Sequence, residues 1–86
     1  MKAEKMLTLF EELAEKMRIN IVQGKGDFQG GLCSVNEETY IVLNKIKPID
    51  QRLNILAKEF GKLNMNNIFV QPILRAYMED IQQDIF

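Results

Sequence analysis

The stretch Arg52-Leu53-Asn54-Ile55-Leu56-Ala57-Lys58-Glu59-Phe60-Gly61-Lys62-Leu63 decides the predicted fold. Its apolar residues recur at intervals of three and four, which is typical of a helix with one buried face. The stripe consists of Ile49, Leu53, Leu56, Phe60 and Leu63. Pro48 suits the first helical position, where its missing N–H is not needed. We therefore expect a central helix against which the other elements pack.

A second amphipathic helix is predicted at the start of the chain, over residues 3 to 18. Its apolar stripe consists of Met6, Phe10, Leu13 and Met17, and Leu7 and Ala14 widen it. The opposite face is acidic, whereas helices that lie on membranes carry a face rich in lysine and arginine. We interpret the stripe as core packing rather than as a surface for a partner or a membrane.

Three short strands are predicted between these helices, over residues 19–23, 32–35 and 39–44. Asn36-Glu37-Glu38 provides a tight hairpin connection, and Tyr40, Val42 and Asn44 alternate with Ile41 and Leu43. The glycine-rich segment 24–31 has neither the dinucleotide-binding spacing nor a following helix, so we interpret it as a loop. The simplest arrangement is a three-stranded antiparallel sheet, formed as a meander.

The last segment, residues 68–86, is predicted to be a helix, with Pro72 as the open question. A helix that begins near Asn67 must kink at Pro72, whereas one that begins at Gln71 leaves 68–70 as an apolar lead-in. The predicted stripe is Ile73, Tyr77, Ile81 and Ile85, flanked by Leu74 and Met78. A docked terminus, a second subunit, or a chain that continues past residue 86 would explain the terminal Ile85-Phe86.

Composition restricts the function classes. The 86 residues suffice for one α+β domain, 1–86. The net charge is -1 and neither half of the chain is strongly basic, so nothing favours nucleic acid as a partner, although a helical groove binder with a local basic patch stays an open alternative. Histidine is absent, which removes the commonest zinc ligand and general base. Cys33 is the only cysteine, which suits a reducing cytoplasm, and we expect it to be a small buried apolar residue. No apolar run is long enough to cross a membrane.

Three pieces of the chain resemble the core of the ImmA/IrrE-type zinc metallopeptidases. They are Gly30-Gly31-Leu32-Cys33, the strand Thr39-Tyr40-Ile41-Val42-Leu43-Asn44, and the segment 52–62. In that family the strand also ends in Asn, and the helix carries Leu-Ala followed by the H-E-x-x-H signature. The likeness covers roughly residues 5 to 63 and implies a zincin-like scaffold, with a helix, three strands and the central helix in that order.

The zinc motif of that family is altered here. Glu59 stands in the place of the general base, while Lys58 and Lys62 replace the two zinc-binding histidines. A lysine ammonium has no lone pair to donate to a metal. The resemblance therefore implies a vestigial site at Lys58, Glu59 and Lys62, with no catalytic, cofactor-binding or metal-binding residue. A solvated helix face, or a pocket in which the lysines bind an anion, are the alternatives for these residues.

These observations leave three hypotheses for function. The first is a non-enzymatic module that binds another protein or a second copy of itself, with neither nucleic acid nor membrane as a partner. The second is a metal-independent enzyme, or an anion-binding module, that uses Glu59 with Lys58 and Lys62. The third rests on the resemblance alone. A relative of peptidases that act on helix-turn-helix repressors, without the zinc ligands, would bind such a repressor but not cut it.

Overall fold

A computed structural model of the protein describes residues 2–28 and 30–83. It contains three helices and three strands, in the order that the sequence predicts. The elements are α1 (Ala3–Lys16), β1 (Ile19–Gly24), β2 (Gly30–Val35), β3 (Glu38–Asn44), α2 (Ile49–Gly61) and α3 (Pro72–Gln83). The fold is α+β, with all three helices contributing to one core. The predicted Ile85-Phe86 terminus lies outside the described residues.

The sheet is mixed, so the prediction of an antiparallel meander is wrong. The strand order is β1-β3-β2, in which β3 pairs with β1 in parallel and with β2 antiparallel. A parallel pair needs a crossover of about a dozen residues or more. Residues 25–37, which include β2, provide that crossover. A short loop after a strand usually leads into an adjacent antiparallel strand. Here the loop after β1 passes the end of β3, so that β2 pairs with β3 on the side opposite β1.

Asn44 holds this loop in place at the end of β3. Its side chain is fully buried, and its Nδ2 donates to the carbonyl oxygens of Gly26 at 2.7 Å and Phe28 at 2.6 Å. Its Oδ1 accepts a 3.3 Å hydrogen bond from the N–H of Ile46. Buried polar groups are stable only when they are paired, and this amide pairs with both chain segments that meet there. Asn44 therefore fixes the loop in the position from which β2 pairs with β3 on the side opposite β1.

The hairpin between β2 and β3 confirms the predicted tight connection. Val35 pairs with Glu38, which leaves the two-residue turn Asn36-Glu37. Both turn residues have positive φ, 51° and 70°, as a type I′ turn requires. Asparagine tolerates this conformation, whereas glutamate seldom adopts it.

The core lies between the sheet and the helices, and the central-helix prediction is confirmed. Leu53, Leu56, Ala57 and Phe60 of α2 are buried. Phe10 of α1 stacks on Phe60 with ring centroids 5.7 Å apart. The stripe of α1 is also confirmed as core packing: its buried residues are Met6, Leu9, Phe10, Leu13 and Ala14.

The structure settles where the last helix begins. Pro72 is the first residue of α3, so the lead-in of residues 68–70 is correct and no kink is needed. The buried residues of α3 are Leu74 and Met78, while Ile73 is 43% exposed. The predicted stripe residues Tyr77 and Ile81 do pack against the core, but partly buried, so the buried face of α3 is centred between the predicted stripe and its flank.

Candidate functional site

Lys58, Glu59 and Lys62 lie in the second half of α2, and the structure separates their environments. Both lysines are exposed, and the Lys62 side chain keeps 68% of its accessible surface. The Glu59 side chain keeps only 16%, and its Oε1 lies 3.3 Å from the Lys62 Nζ. The description of a solvated face thus fits the lysines but not Glu59, which turns toward the body of the protein.

Lys58 does not join the other two residues. It lines a shallow recess of ≈ 280 Å³ with Lys47, and the other lining residues are Gln51, Asn54 and Ile55. Since Lys62 pairs with Glu59, the two lysines of the altered motif have different neighbours. Glu59 and Lys62 form one pair, and Lys58 lies apart from it. Within 2–28 and 30–83, no group of three or more Cys, Asp or Glu side chains is placed to hold a metal ion.

Arg52 ties the start of α2 to the sheet. Its Nη1 donates a 2.9 Å hydrogen bond to Oε1 of Gln23 on β1. Its Nε is buried and has no hydrogen-bond partner among the described residues. Gln23 lies on the helix-facing side of the sheet, because it pairs with buried Leu43. The pair connects the start of α2 to β1.

The face of the sheet that points away from the helices forms the second candidate region, which we call the open sheet face. The strand register places on it, from β1, Asn20 and Val22; from β2, Gly31, Cys33 and Val35; and from β3, Glu38, Tyr40 and Val42. Val22 and Val35 are 43% and 53% exposed. Most of this face is apolar or uncharged, although no described helix covers it. Exposed apolar patches of this kind often mark binding surfaces.

Polar groups on the open sheet face lie near the hairpin turn. The Tyr40 hydroxyl donates a 2.6 Å hydrogen bond to Oε2 of Glu38. This hydrogen bond, and the negative charge of the same carboxylate, raise the pKa of Tyr40 above its ordinary value of 10.0. The phenol is therefore neutral and oriented at physiological pH.

Cys33 is exposed, so the expectation that it is a buried apolar residue is wrong. Its strand β2 lies at an edge of the sheet, and its side chain points to the open sheet face. Alternation along the strand could not reveal this position, because the sequence does not say which side of a sheet the helices will cover.

The strand β2 is the third feature of interest. It pairs with β3 on one side only, and five of its six residues are exposed. From Gly30 to Val35 it carries no charged side chain. Natural edge strands are usually protected by lysine, proline or a covering loop, because their unpaired backbone groups accept another strand. β2 contains neither lysine nor proline, and no described segment buries its exposed residues.

Two further concave regions lie elsewhere on the described surface. An open cleft of ≈ 680 Å³ lies beside the end of α1 and the hairpin turn, and its charged lining residues are Glu11, Glu15, Arg18, Glu37 and Glu38. A groove of ≈ 370 Å³ is lined by residues of all three helices, among them Ile73, Tyr77 and Asp50. Partial burial, and then the Asp50 carboxylate, raise the pKa of Tyr77.

Comparisons with known proteins found no matching family model, no matching curated protein and no matching solved structure. The resemblance to the ImmA/IrrE-type peptidases therefore stays a prediction based on the residues quoted above. In the part of the chain that the structure describes, no helix has both the length and the apolar character needed to cross a membrane.

Proposed function

We propose that the protein is a non-catalytic module of the cytoplasm that binds another protein or a second copy of itself. The observation that supports this proposal is the one-sided sheet. Helices cover one face, while the open sheet face and the uncharged edge of β2 remain accessible. Strand addition to a free edge is a common way for proteins to recognise extended segments, since backbone hydrogen bonds supply affinity and alternate side chains supply specificity.

The candidate region on α2 supports a non-catalytic role. Glu59 pairs with Lys62, and Lys58 lies in a separate recess. With lysines in place of the two histidines, the motif has no groups that bind zinc and activate water. We infer that neither nucleic acid nor a membrane is the partner, because the net charge is -1 and neither half of the sequence is strongly basic.

Affinity capture from cells that express the protein tests the binding role. The baits are the wild type, Val35→Lys on the open sheet face, and Lys5→Ala on the exposed side of α1 as a matched control. We expect proteins that both the wild type and the control retain and that Val35→Lys loses. Equal retention by all three baits would contradict the proposed surface.

A peptidase assay tests the non-catalytic role. Purified protein is incubated with an unfolded protein substrate, with and without added zinc, beside a Glu59→Gln variant. We expect no cleavage above the buffer control in either condition. Cleavage that the Glu59→Gln variant abolishes would establish an enzyme instead.

Anion binding is the second candidate function, and the recess between Lys47 and Lys58 favours it. Two ammonium groups and two side-chain amides line a space of ≈ 280 Å³ without a carboxylate. A titration with inorganic phosphate, followed by NMR, tests this reading. Shifts at residues 47–58 that Lys58→Ala removes and Lys62→Ala keeps would support it, because Lys62 already pairs with Glu59.

A partner class follows from the resemblance alone. A relative of peptidases that act on helix-turn-helix repressors, once its zinc ligands are lost, would bind such a repressor without cutting it. Capture of a helix-turn-helix protein by the wild-type bait, and not by the Val35→Lys bait, would support this version of the proposal.

A further inference from the structure

We propose that β2 pairs antiparallel with β2 of a second copy, which joins two sheets into one of six strands with Cys33 at the two-fold axis. This inference rests on the proposed function and names the partner for the same surface. It follows from four properties of β2: the direction of its free backbone groups, the register that its side chains permit, its charge surroundings, and the contrast with the other edge strand.

The hairpin geometry determines which backbone groups of β2 face outward. In a hairpin with a two-residue turn, the residues that flank the turn form a hydrogen-bonded pair, here Val35 and Glu38. Hydrogen-bonded and non-hydrogen-bonded pairs then alternate along the strands. The N–H and C=O groups of Cys33 therefore point to β3, whereas those of Leu32 and Ser34 point to the free edge. Those two residues provide the hydrogen-bonding groups for a further strand.

The register is limited by the two glycines of β2. Gly30 and Gly31 have φ of 98° and 145°, which depart from strand geometry, so the regular part of β2 is residues 32–35. Only pairing about Cys33 lets Leu32 and Ser34, whose backbone groups face the free edge, form hydrogen-bonded pairs with each other. Antiparallel pairing about that centre sets Leu32 opposite the second copy's Ser34. It also sets Val35 opposite the second copy's Gly31, so the valine side chain lies over a residue that has no side chain. Each bulky residue thus meets a small one, and the two Cys33 side chains meet in a non-hydrogen-bonded pair.

Charge favours the antiparallel arrangement of two copies. The hairpin end of the sheet carries Glu37 and Glu38 with Arg18, a net negative charge, whereas the segments at the other end carry Lys25, Lys45 and Lys47 with Asp27, a net positive charge. Antiparallel pairing brings the acidic end of each copy next to the basic end of the other. Parallel pairing would bring like charges together. Complementary charge of this kind orients partners and accelerates their encounter.

The other edge strand, β1, lacks these properties. Arg18 and Lys25 flank it directly, and the acidic cleft with Glu11 and Glu15 lies beside it. Charges at an edge discourage pairing with a second chain. The free edge of β2 is therefore the edge that a second copy selects.

The strength of this contact follows from its size. The register gives two hydrogen-bonded residue pairs and buries Leu32, Cys33 and Val35. Interfaces this small belong to the weak and transient class, for which we expect a dissociation constant in the micromolar range.

Sedimentation velocity over a range of protein concentrations tests the pairing. We expect the wild type to shift from monomer to dimer as concentration rises from micromolar to millimolar. Ser34→Lys adds a charge at the free edge and should raise the dissociation constant by at least about tenfold. Asn20→Lys adds the same charge on β1 and should leave the dissociation constant unchanged. Circular dichroism confirms that both variants are folded.

Oxidation of the native cysteine tests the register independently. In a non-hydrogen-bonded pair the two Cα atoms lie about 4.5 Å apart, which suits a disulfide. Glutathione disulfide accepts the two electrons: the two Cys33 thiols lose their protons, an S–S bond forms between the copies, and two glutathione molecules are released. We expect a covalent dimer from the wild type at concentrations where the non-covalent dimer is populated.

A variant with the cysteine moved along the strand provides the matched control. In Cys33→Ser/Val35→Cys, the two thiols of a paired dimer lie four residues apart along the strands, roughly 13 Å. We expect no disulfide in that dimer. Equal cross-linking of both proteins would overturn the register.

The outcomes separate this inference from the proposed function. A wild type that stays monomeric at millimolar concentration overturns self-pairing, while capture of another protein through Val35 would still support the binding role. A dimer that Ser34→Lys does not weaken overturns the β2 contact. A dimer weakened by Ser34→Lys and not by Asn20→Lys, with the selective Cys33 disulfide, supports the inference.

Discussion

At the residue scale, Asn44 and Gly30 control how the sheet is built. Asn44 is a buried amide that satisfies three backbone groups from two segments. Gly30 lies so close to β3 that a Cβ atom would be 2.3 Å from the carbonyl oxygen of Val42. Neither residue is part of a chemical site, yet both are required for β2 to lie beside β3. Two of the pieces that resemble the peptidase family, Gly30-Gly31 and the terminal Asn of β3, therefore have structural roles.

Replacement of Asn44 by aspartate should destabilise the protein strongly. The two carbonyl oxygens that now accept from Nδ2 would face a carboxylate oxygen, so two acceptors lose their donor and meet a negative charge. We expect a loss of at least about 3 kcal/mol in the free energy of unfolding. Urea denaturation at neutral pH measures this loss. A milder effect at low pH, where the new carboxyl group is protonated, would confirm that charge contributes.

Gly30→Ala and Gly31→Ala form a matched pair of variants. At Gly30 the new methyl group meets backbone and the φ of 98° is unfavourable, so we expect a loss of more than about 2 kcal/mol. At Gly31 no atom lies within 4 Å of the new Cβ, and only the strain of its φ of 145° remains. The loss there should be about 1 kcal/mol. Equal losses in thermal denaturation would contradict the close approach at Gly30.

The two tyrosines should both titrate above their ordinary pKa. The Glu38 carboxylate raises the pKa of Tyr40, and burial raises the pKa of Tyr77. Because the folded protein holds both phenolic protons more tightly, this contribution to stability is complete below pH 10 and is lost as pH rises through the folded pKa values. Phenolate absorbance, recorded against pH in buffer and in urea, measures the difference. Glu38→Gln should lower the pKa of Tyr40, and Glu37→Gln should not.

At the scale of elements, the β2–β3 hairpin has an unusual turn. Its two residues, Asn36 and Glu37, both adopt positive φ. Asn-Gly is the favoured sequence for such a turn, and this hairpin has the asparagine without the glycine. The strand pairing, with the Val35·Glu38 closure, holds the glutamate in a conformation that it would otherwise avoid.

Glu37→Gly should therefore stabilise the protein. The relief of left-handed strain, about 1–2 kcal/mol, exceeds the entropy that a glycine adds to the unfolded chain, about 0.4–1 kcal/mol. We expect a net gain of about 0.5–1 kcal/mol in urea denaturation. Asn36→Gly is the comparison, and it should bring little or no gain because asparagine already tolerates this conformation. A loss of stability in Glu37→Gly would show that the glutamate makes a contact that outweighs its strain.

At the scale of the whole molecule, one aromatic residue joins the three helices. Phe10 of α1 is fully buried, stacks on Phe60 of α2, and meets the ring of Tyr77 of α3 edge-on at 6.1 Å. Phe69, by contrast, is 68% exposed and has the Lys16 ammonium 5.3 Å from its ring centre. A chain of 86 residues has a small core, so the buried Phe10 contributes a large share of its stability.

Phe10→Ala should cost about 3–5 kcal/mol, which approaches the total stability of a small domain. Phe69→Ala removes a side chain of the same type from the surface and should cost less than about 1 kcal/mol. Circular dichroism during urea titration distinguishes the two. A Phe10→Ala protein that stays as stable as the wild type would contradict the packing described above.

The sequence by itself determined the type and order of the elements and the core faces of α1 and α2, since hydrophobic periodicity acts over a few residues. That Lys58 and Lys62 leave Glu59 without zinc ligands is implied by the resemblance alone and stays a prediction. Only the tertiary structure decided that β1 and β3 are parallel, that Cys33 is exposed, and that Glu59 turns inward while both lysines stay outside. These outcomes depend on which segments meet across the molecule, as at Asn44, and on which side of the sheet the helices cover. No local pattern in the stretch from Arg52 to Leu63 indicates which segments pair across the molecule or which side of the sheet the helices cover.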